Sequence, residues 1–314
     1  MLHVLIAFQA TCRTPCSRST SDPACQTCRV QKLVITGARG QLGTQLVTLG
    51  TAAGIDLVGL SSSDLDITDR AAVDRLVEPG SVVINCAAHT AVDAAETDEA
   101  AAFAINETGP ENLAAACARV GAHLIHISTD YVFDGTADSP YEPDGLPGPV
   151  TVYGRSKLAG EVAVHRELPS AQVVRTAWVY TGVGSDFVAT MRRLEGERDT
   201  VDVVDDQIGS PTYAADLARG LLELAGRPDA PRLLHLTNGG ETSWFEFARA
   251  VFAGIGADPE RVRPCSSAQF VRPAKRPPYS VLSGRAWAEA GLTPLRDWRS
   301  ALTSALDELP SNPR

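Results

Sequence analysis

A short buried strand that leads through a glycine-rich turn into a helix limits the fold of this chain more than any other feature. Residues 32–36 form a largely apolar, β-branched run, as expected of a parallel strand covered on both faces. Gly37, Gly40 and Gly43 follow at intervals of three, and the predicted helix starts at Gln41. Glycines in this setting let the backbone approach a pyrophosphate, which the free N–H groups of a helix N-terminus bind. The pattern therefore predicts a dinucleotide site, with a plain tight turn as the alternative.

Strands and helices alternate along the rest of the chain. Strands are predicted at residues 32–36, 56–60, 81–87, 123–128, 172–176 and 233–236. Helices are predicted at residues 41–49, 68–77, 94–107, 110–120, 153–167, 187–194, 213–224, 244–252 and 298–309. This order predicts an α/β fold: a Rossmann-like, doubly wound parallel sheet with a smaller C-terminal substrate-binding lobe. We assign residues 32–180 to the dinucleotide-binding core and residues 181–314 to the lobe, some of whose elements return to the core.

Residues 1–31 differ in composition from the rest of the chain, and we expect them to be a disordered leader. Four of the seven cysteines, Cys12, Cys16, Cys25 and Cys28, crowd this segment. Their spacing is loosely compatible with a tetrahedral zinc site, and an oxidised disulfide knot is a further alternative. No aromatic or apolar framework follows that could fold around a metal. A valine start codon at Val30 would remove the segment from the mature protein.

Composition and charge exclude several functional classes. The net charge of −10 and the pI of about 5.1 argue against general binding to nucleic acids or anionic membranes. No apolar run approaches the length of a membrane span. Cys86, Cys117 and Cys265 stand in positions that are typical of reduced thiols, so we expect a cytoplasmic protein.

Tyr153 and Lys157 are the strongest candidates for chemistry. The chain has only three lysines, and Lys157 follows Tyr153 by four residues. If the segment is helical, this spacing puts both side chains on one face. A free tyrosine has a pKa of about 10, and a neighbouring ammonium would lower that pKa toward the working range. The pair could then pass a proton to or from an alcohol or ketone oxygen, although a surface tyrosine packed on a lysine stem is the simpler explanation.

Two further positions concern the ligands. Thr129 follows the fourth strand, at the edge where open α/β sheets bind ligands, and its hydroxyl could bond the same oxygen that Tyr153 protonates; a turn cap is the alternative. No acidic residue stands directly at the end of the second strand, where one would bind the 2′-hydroxyl of NAD. Arg39 could pair with a 2′-phosphate, or it could be a solvated surface charge. Both points favour NADPH, with NADH as the alternative cofactor.

Five segments in register resemble the dTDP-4-dehydrorhamnose reductases of the extended short-chain dehydrogenase/reductase superfamily. They are Ala-Ala-His-Thr-Ala-Val-Asp at 87–93, Ser-Thr-Asp-Tyr-Val-Phe-Asp-Gly at 128–135, Val-Tyr-Gly-Arg-Ser-Lys-Leu-Ala-Gly-Glu at 152–161, Arg-Thr-Ala-Trp-Val-Tyr at 175–180 and Asp-Asp-Gln-Ile-Gly-Ser-Pro-Thr at 205–212. The resemblance covers about residues 32–300. It implies reduction of the C4 ketone of dTDP-4-dehydro-6-deoxy-L-mannose by a nicotinamide cofactor. The product would be dTDP-L-rhamnose, a precursor of cell-wall and surface polysaccharides.

The resemblance also implies roles for individual residues. Tyr153 would be the acid, and Lys157 would hold the nicotinamide ribose and tune Tyr153. The substrate would contact Thr129, Asp130 and Trp178 at the sugar and Arg276 at the diphosphate. The residues that would contact the cofactor are Gly37, Arg39, Gly40, Gln41, Leu42 and Gly43 in the turn, then Asp66, Ile67, Ala88, His89 and Thr90, and finally Tyr153 and Lys157.

The chain departs from this family in the first helix, where some members carry a glutamate that helps bind magnesium between subunits. Gln45 stands at that position, so the sequence predicts no metal site and no metal-linked dimer, while a homodimer of another kind stays open. One alternative function is that of a non-catalytic relative, such as the regulatory β subunit of methionine adenosyltransferase; the intact Tyr153 and Lys157 argue against it. The other is a nucleotide-sugar epimerase or dehydratase, since dehydratases usually carry an acid directly after the threonine, as Asp130 stands here.

Overall fold

The computed structural model describes residues 32–309 and is built around a six-stranded parallel sheet. The strands within these residues are β1 (Leu33–Thr36), β2 (Leu57–Leu60), β3 (Val82–Asn85), β4 (His123–Thr129), β5 (Gln172–Thr176), β6 (Val179–Tyr180), β7 (Val201–Val204), β8 (Ile208–Gly209), β9 (Thr212–Tyr213), β10 (Leu233–His235), β11 (Thr242–Ser243) and β12 (Val262–Cys265). The order across the sheet is β10-β5-β4-β3-β1-β2, and every pair is parallel. The predicted doubly wound α/β fold is thereby confirmed.

Helices connect the strands. They are α1 (Gln41–Ala52), α2 (Arg70–Leu76), α3 (Val92–Ala95), α4 (Glu99–Phe103), α5 (Gly109–Val120), α6 (Val152–Glu167), α7 (Phe187–Glu197), α8 (Ala214–Ala225), α9 (Trp244–Gly254), α10 (Arg285–Glu289) and α11 (Trp298–Asp307). None of the helices within residues 32–309 is long and apolar enough to cross a membrane.

Both faces of the sheet are covered, because successive side chains of a strand point to opposite faces. On one face Ile35 of β1 packs with residues of α1, α8 and α10. On the other face Val34 packs with residues of α2, α5 and α6. This burial on both sides accounts for the continuous apolar runs that predict the central strands.

The C-terminal half supplies both a second core and elements of the first. Phe247, Phe252 and Trp298 are buried in the lobe, where short strand pairs join β6 to β9, β7 to β12 and β8 to β11. In contrast, α8 and β10 belong to the Rossmann-like core. The division at residue 180 stays our interpretation of this arrangement.

One predicted helix is not continuous. Residues 94–107 divide into α3, α4 and a π-helical segment, Ala104–Thr108. The Asp98 side chain accepts the N–H of Ala101 and so starts α4 anew. The π-helical segment includes Asn106, whose side chain lies at the site described below. The predictions for the cysteine-rich leader lie outside the described residues.

Candidate active site

The glycine turn between β1 and α1 has the close backbone packing predicted from the sequence. A Cβ on Gly37 would lie 2.6 Å from the Ala87 nitrogen, and a Cβ on Gly43 would lie 2.2 Å from the Gly37 oxygen. Gly40 caps α1 without a side-chain hydrogen bond, which leaves the first N–H groups of the helix to a ligand. The predicted pyrophosphate-binding residues at this helix start are Gly40, Gln41 and Leu42. This arrangement fits a dinucleotide pyrophosphate.

The predicted cofactor segment at residues 88–90 follows β3, at the carboxyl edge of the sheet. Asn106 fixes it: the Asn106 side-chain oxygen accepts the His89 N–H at 2.8 Å, and the side-chain amide donates to the His89 carbonyl at 3.1 Å. Beyond β2, Asp66 is exposed and Ile67 is buried. Asn106 is not among the residues predicted from the sequence, because an asparagine in an alanine-rich helix carries no signal of a distant backbone partner.

The end of β2 carries an acidic group that the sequence prediction does not include. The chain turns back after Ser61, so that the Asp64 carboxylate accepts the Ser61 N–H at 2.9 Å and the Ser61 hydroxyl at 2.5 Å. These hydrogen bonds and the nearby Arg39 guanidinium lower the pKa of Asp64. No residue directly at the end of β2 is acidic, but the turn brings the Asp64 carboxylate back to Ser61. The Ser-x-x-Asp spacing, which resembles a capping box, is the local signal that could have located the carboxylate.

Helix α6 places Tyr153 and Lys157 one turn apart, as their spacing predicts. Thr151 caps this helix by accepting the Gly154 N–H at 3.0 Å, and both functional side chains are buried. The expected lowering of the tyrosine pKa is wrong: burial raises the pKa of Tyr153 to about 12, against the opposing effect of the Thr129 hydroxyl. The phenol is therefore neutral at physiological pH, which is the form that a proton donor requires.

Lys157 points toward the sheet rather than to the Tyr153 hydroxyl. Its Nζ donates to the Ile127 carbonyl at 2.7 Å and lies 3.4 Å from His126 Nε2. Burial lowers the pKa of Lys157 to about 8, while Glu161 and Cys86 oppose the change. Lys157 is therefore mostly the ammonium at neutral pH and loses its charge as the pH rises through about 8.

Thr129 ends β4 at the carboxyl edge of the sheet, and Asp130 follows it. The Thr129 hydroxyl donates to Asp130 Oδ1 at 2.9 Å, and Oδ2 is buried with no partner among residues 32–309. Burial raises the pKa of Asp130 to about 6, although hydrogen bonds from Ser280 and Thr129 oppose the change. The site therefore presents a hydroxyl and a carboxyl group with a free oxygen, close to Tyr153.

We expect Asp130→Asn to change how stability depends on pH. A folded-state pKa of about 6, above the ordinary 3.8, means that folding favours the protonated acid. The protonated acid therefore adds about 3 kcal/mol to the free energy of unfolding. This stabilisation is fully present below the unfolded-state pKa of about 3.8 and is lost as the pH rises through the folded-state value of about 6. The amide does not titrate. The unfolding free energy of the variant should therefore rise by most of this amount, relative to the parent, from about pH 4 to about pH 8. Urea unfolding at the two pH values measures the change, and a constant difference would contradict it.

Trp178 has a strained backbone and a fixed ring. Its φ of 47° is in the left-handed region, which bulky residues rarely adopt. The ring stacks on Trp244, with 3.5 Å between centroids and an interplanar angle of 7°. A Cβ on Gly209 would lie 2.4 Å from the ring, so the glycine is needed for this close approach. Trp178 is thus a rigid aromatic surface just after β5.

The Arg276 guanidinium is bound to a carboxylate of the protein rather than left available to a ligand. Its two terminal nitrogens lie 2.7 and 2.9 Å from the two carboxylate oxygens of Asp93, and Arg272 lies 3.5 Å from the same carboxylate. The ion pairs hold residues 272–276 of the lobe against the segment after β3. This link between core and lobe is not predicted from the sequence, where Arg276 is assigned to the substrate diphosphate.

Comparisons with known proteins agree with this fold and site. Residues 31–311 match the family model described as the RmlD substrate binding domain. The chain is 61% identical over 283 residues to a dTDP-4-dehydrorhamnose reductase of Mycobacterium tuberculosis, covering 88% of this chain and 93% of that protein. The chain belongs to the dTDP-4-dehydrorhamnose reductase family. A solved dTDP-4-dehydrorhamnose reductase from Bacillus anthracis in complex with NADP is 38% identical, with a TM-score of 0.86 over 90% of this chain and 100% of that one. Another, from Clostridium acetobutylicum, is 42% identical, with a TM-score of 0.85 over 88% and 99%.

This dTDP-4-dehydrorhamnose reductase family member carries a buried polar layer behind Tyr153 and Lys157. Five residues of this layer are not predicted from the sequence: Asn85, Asn106, His126, Glu161 and Arg175. A histidine or arginine inside an otherwise apolar strand, as in β4 and β5, is the signal that could have identified two of them. Within residues 32–309 no cluster of His, Cys, Asp or Glu side chains could hold a metal ion.

Proposed function

We propose that this chain reduces the C4 ketone of dTDP-4-dehydro-6-deoxy-L-mannose with NADPH and forms dTDP-L-rhamnose. The position of Tyr153 carries the proposal: a buried, neutral phenol lies close to the Thr129 hydroxyl, at the edge of the sheet where the glycine turn also begins. The names of the curated relatives support the sugar, and the NADP complex of the B. anthracis protein supports the cofactor. The product would enter rhamnose-containing cell-wall or surface polysaccharides.

The side chains divide the chemistry among them. NADPH, when bound in the glycine turn, supplies the hydride that C4 receives. Tyr153 donates the proton to the C4 oxygen, and Lys157 would bind the nicotinamide ribose. The Thr129 hydroxyl, which donates to Asp130 in the free protein, would turn its hydrogen to hold the C4 oxygen. A phenol with a raised pKa still serves as the acid, because the oxygen of a reduced ketone becomes far more basic than a phenolate.

Substrate recognition uses the groups around this centre. Asp130 offers a carboxyl oxygen that has no partner among the described residues to a sugar hydroxyl. We keep Trp178 as a proposed sugar contact, with its ring held in place by Trp244 and Gly209. The nucleotide and diphosphate lie remote from C4, yet their binding energy can orient the ketone toward Tyr153. We keep Arg276 as a proposed diphosphate contact. Its ion pair with Asp93 supports a second role, in which Arg276 joins the lobe to the core.

Arg39→Ala should weaken NADPH more than NADH. If the guanidinium meets the 2′-phosphate, its removal costs about 1.5–3 kcal/mol of NADPH binding, the range for a hydrogen bond to a charged group. NADH has no 2′-phosphate and should lose little. Fluorescence titration of both cofactors measures the difference. Equal losses would show that Arg39 is only a surface residue.

The alternative functions are not favoured, because relatives that match nearly their whole length are named as reductases. The homodimer and the cytoplasmic location stay predictions. Reduced Cys86, Cys117 and Cys265 are consistent with the predicted location.

The deciding experiment is the oxidation of NADPH by the purified protein with the dTDP-ketosugar, followed by NMR identification of the product. We expect stoichiometric oxidation and a 4-hydroxy sugar of rhamnose configuration. The free ketosugar should react poorly, because it lacks the remote binding energy of the nucleotide. The proposal fails if NADPH is not oxidised, or if the product has another configuration at C4.

A further inference from the structure

Lys157 has a buried neighbour that the proposed reaction does not use. His126 is fully buried on β4, and its Nε2 lies 3.4 Å from Lys157 Nζ. A neutral imidazole can present either an N–H or a lone pair to an amine, and the two have opposite effects on the charge that the amine carries. The hydrogen bonds on the other side of the ring decide which of the two Lys157 meets.

Asn85 fixes the orientation of the imidazole. The Ala87 N–H, which can only donate, lies 3.1 Å from Asn85 Oδ1, and the Thr36 hydroxyl lies 2.6 Å from the same oxygen. The remaining amide atom, Asn85 Nδ2, therefore faces His126 Nδ1 at 3.0 Å and donates to it. Because Nδ1 accepts, a neutral ring carries its hydrogen on Nε2. Burial holds the pKa of His126 well below its usual value, which keeps the ring neutral.

The Nε2–H group therefore faces the lysine. Lys157 already donates one hydrogen to the Ile127 carbonyl. If Lys157 were an ammonium, one of its N–H groups would face the Nε2–H of His126, and the two would repel each other. A neutral amine instead accepts the Nε2–H with its lone pair. We propose that His126 is a positioning residue: by donating its Nε2–H toward Lys157, it disfavours the ammonium form of the lysine in the free protein. The inference rests on the proposed function in one respect, the assignment of Lys157 to the nicotinamide ribose.

The other titratable groups nearby do not account for a preference of Lys157 for the neutral amine. Around Lys157 and His126 they are Tyr153, Glu161 and His165 on α6, Cys86 beyond β3 and Arg175 on β5. Glu161 favours the ammonium, but both its carboxylate oxygens are bonded by Arg175, at 2.8 and 2.7 Å. Burial raises the pKa of the Cys86 thiol to about 12, so the thiol is uncharged at working pH. The Nε2–H of His126 therefore adds to burial as a contact that opposes the ammonium form of Lys157.

The three lysines of the chain allow a direct titration. Lys32→Arg and Lys275→Arg leave Lys157 as the sole lysine; Lys32 is paired with Glu78 near the surface, and Lys275 is exposed. The carbon-13 signal of the Lys157 Cε then reports its protonation without cofactor or sugar. We expect a midpoint near 8. In this background His126→Asn removes the N–H that faces Lys157 but keeps an acceptor for Asn85, and should raise the midpoint by about one pH unit.

His123→Asn is the matched control. It makes the same substitution at the other end of β4, where the ring bonds Gln172 at 2.8 Å, and should leave the Lys157 titration unchanged. Long-range proton–nitrogen NMR of His126 in the parent protein gives the tautomer directly, so the test holds even if a variant fails to fold. A hydrogen on Nδ1, or a Lys157 midpoint that does not respond to His126→Asn, would overturn the proposal. A failed turnover assay together with an Nε2–H ring would count against the proposed function alone.

Discussion

Tyr153→Phe should lower turnover of the dTDP-ketosugar by about 10²–10⁴, the usual range for the loss of a general acid. The substitution removes the phenolic hydroxyl and keeps the ring, which packs edge-on against Tyr131 with 5.4 Å between centroids. Because the packing persists, NADPH affinity and the melting temperature should change little. Steady-state kinetics of NADPH oxidation measure the effect on turnover, and a fluorescence titration measures cofactor binding.

Tyr180→Phe controls for the loss of any buried tyrosine hydroxyl. The Tyr180 ring is 1% exposed and packs against the buried residues of the lobe, and its hydroxyl has no hydrogen-bond partner among the described residues. Removing that hydroxyl should leave turnover close to that of the parent. If Tyr153→Phe behaved in the same way, Tyr153 could not be the proton donor, and another acid near C4, with Asp130 the first to test, would have to take its place.

Arg175→Met should lower the free energy of unfolding by about 3–5 kcal/mol, the range for removing one partner of a buried ion pair. Arg175 and Glu161 are 2% and 6% exposed, and the guanidinium bonds both carboxylate oxygens. The Ser128 hydroxyl donates to the same carboxylate at 2.5 Å. Without the arginine, Glu161 must either stay charged in a buried site or take up a proton, and both outcomes cost stability. Urea unfolding at neutral pH measures the loss.

Two further variants separate the charge effect from a packing effect. Arg193→Met breaks an exposed pair with Glu197 and should cost less than about 1 kcal/mol. Adding Glu161→Gln to Arg175→Met removes the uncompensated charge, so the double variant should recover part of the lost stability. If the double variant is as unstable as Arg175→Met alone, the loss comes from the packing of Arg175 on the Phe133 ring instead.

The sequence alone determined those features that depend on short spacings along the chain. The strand, the glycine turn and the start of α1 are set by residues 33–43, and the alternation of apolar runs and helical periods predicted the parallel sheet. Tyr153 and Lys157 lie on one face of α6 because four residues make about one helical turn. Five matching segments predicted the family. Local geometry and pattern suffice for each of these statements, since none depends on which distant segment packs nearby.

Only the tertiary structure decided the electrostatics of the site. Burial sets the pKa of Tyr153 above its ordinary value, where the sequence suggested a fall, because desolvation outweighs the effect of the nearby Thr129 hydroxyl. Arg276 is bound to Asp93, and Asn106 to the His89 backbone, through pairings of segments that are far apart in the chain. The tautomer of His126 follows from a hydrogen bond across β3 and β4. Each of these depends on how deeply a side chain is buried and on contacts between residues that are far apart in the chain, and the spacing of residues along the chain does not encode either.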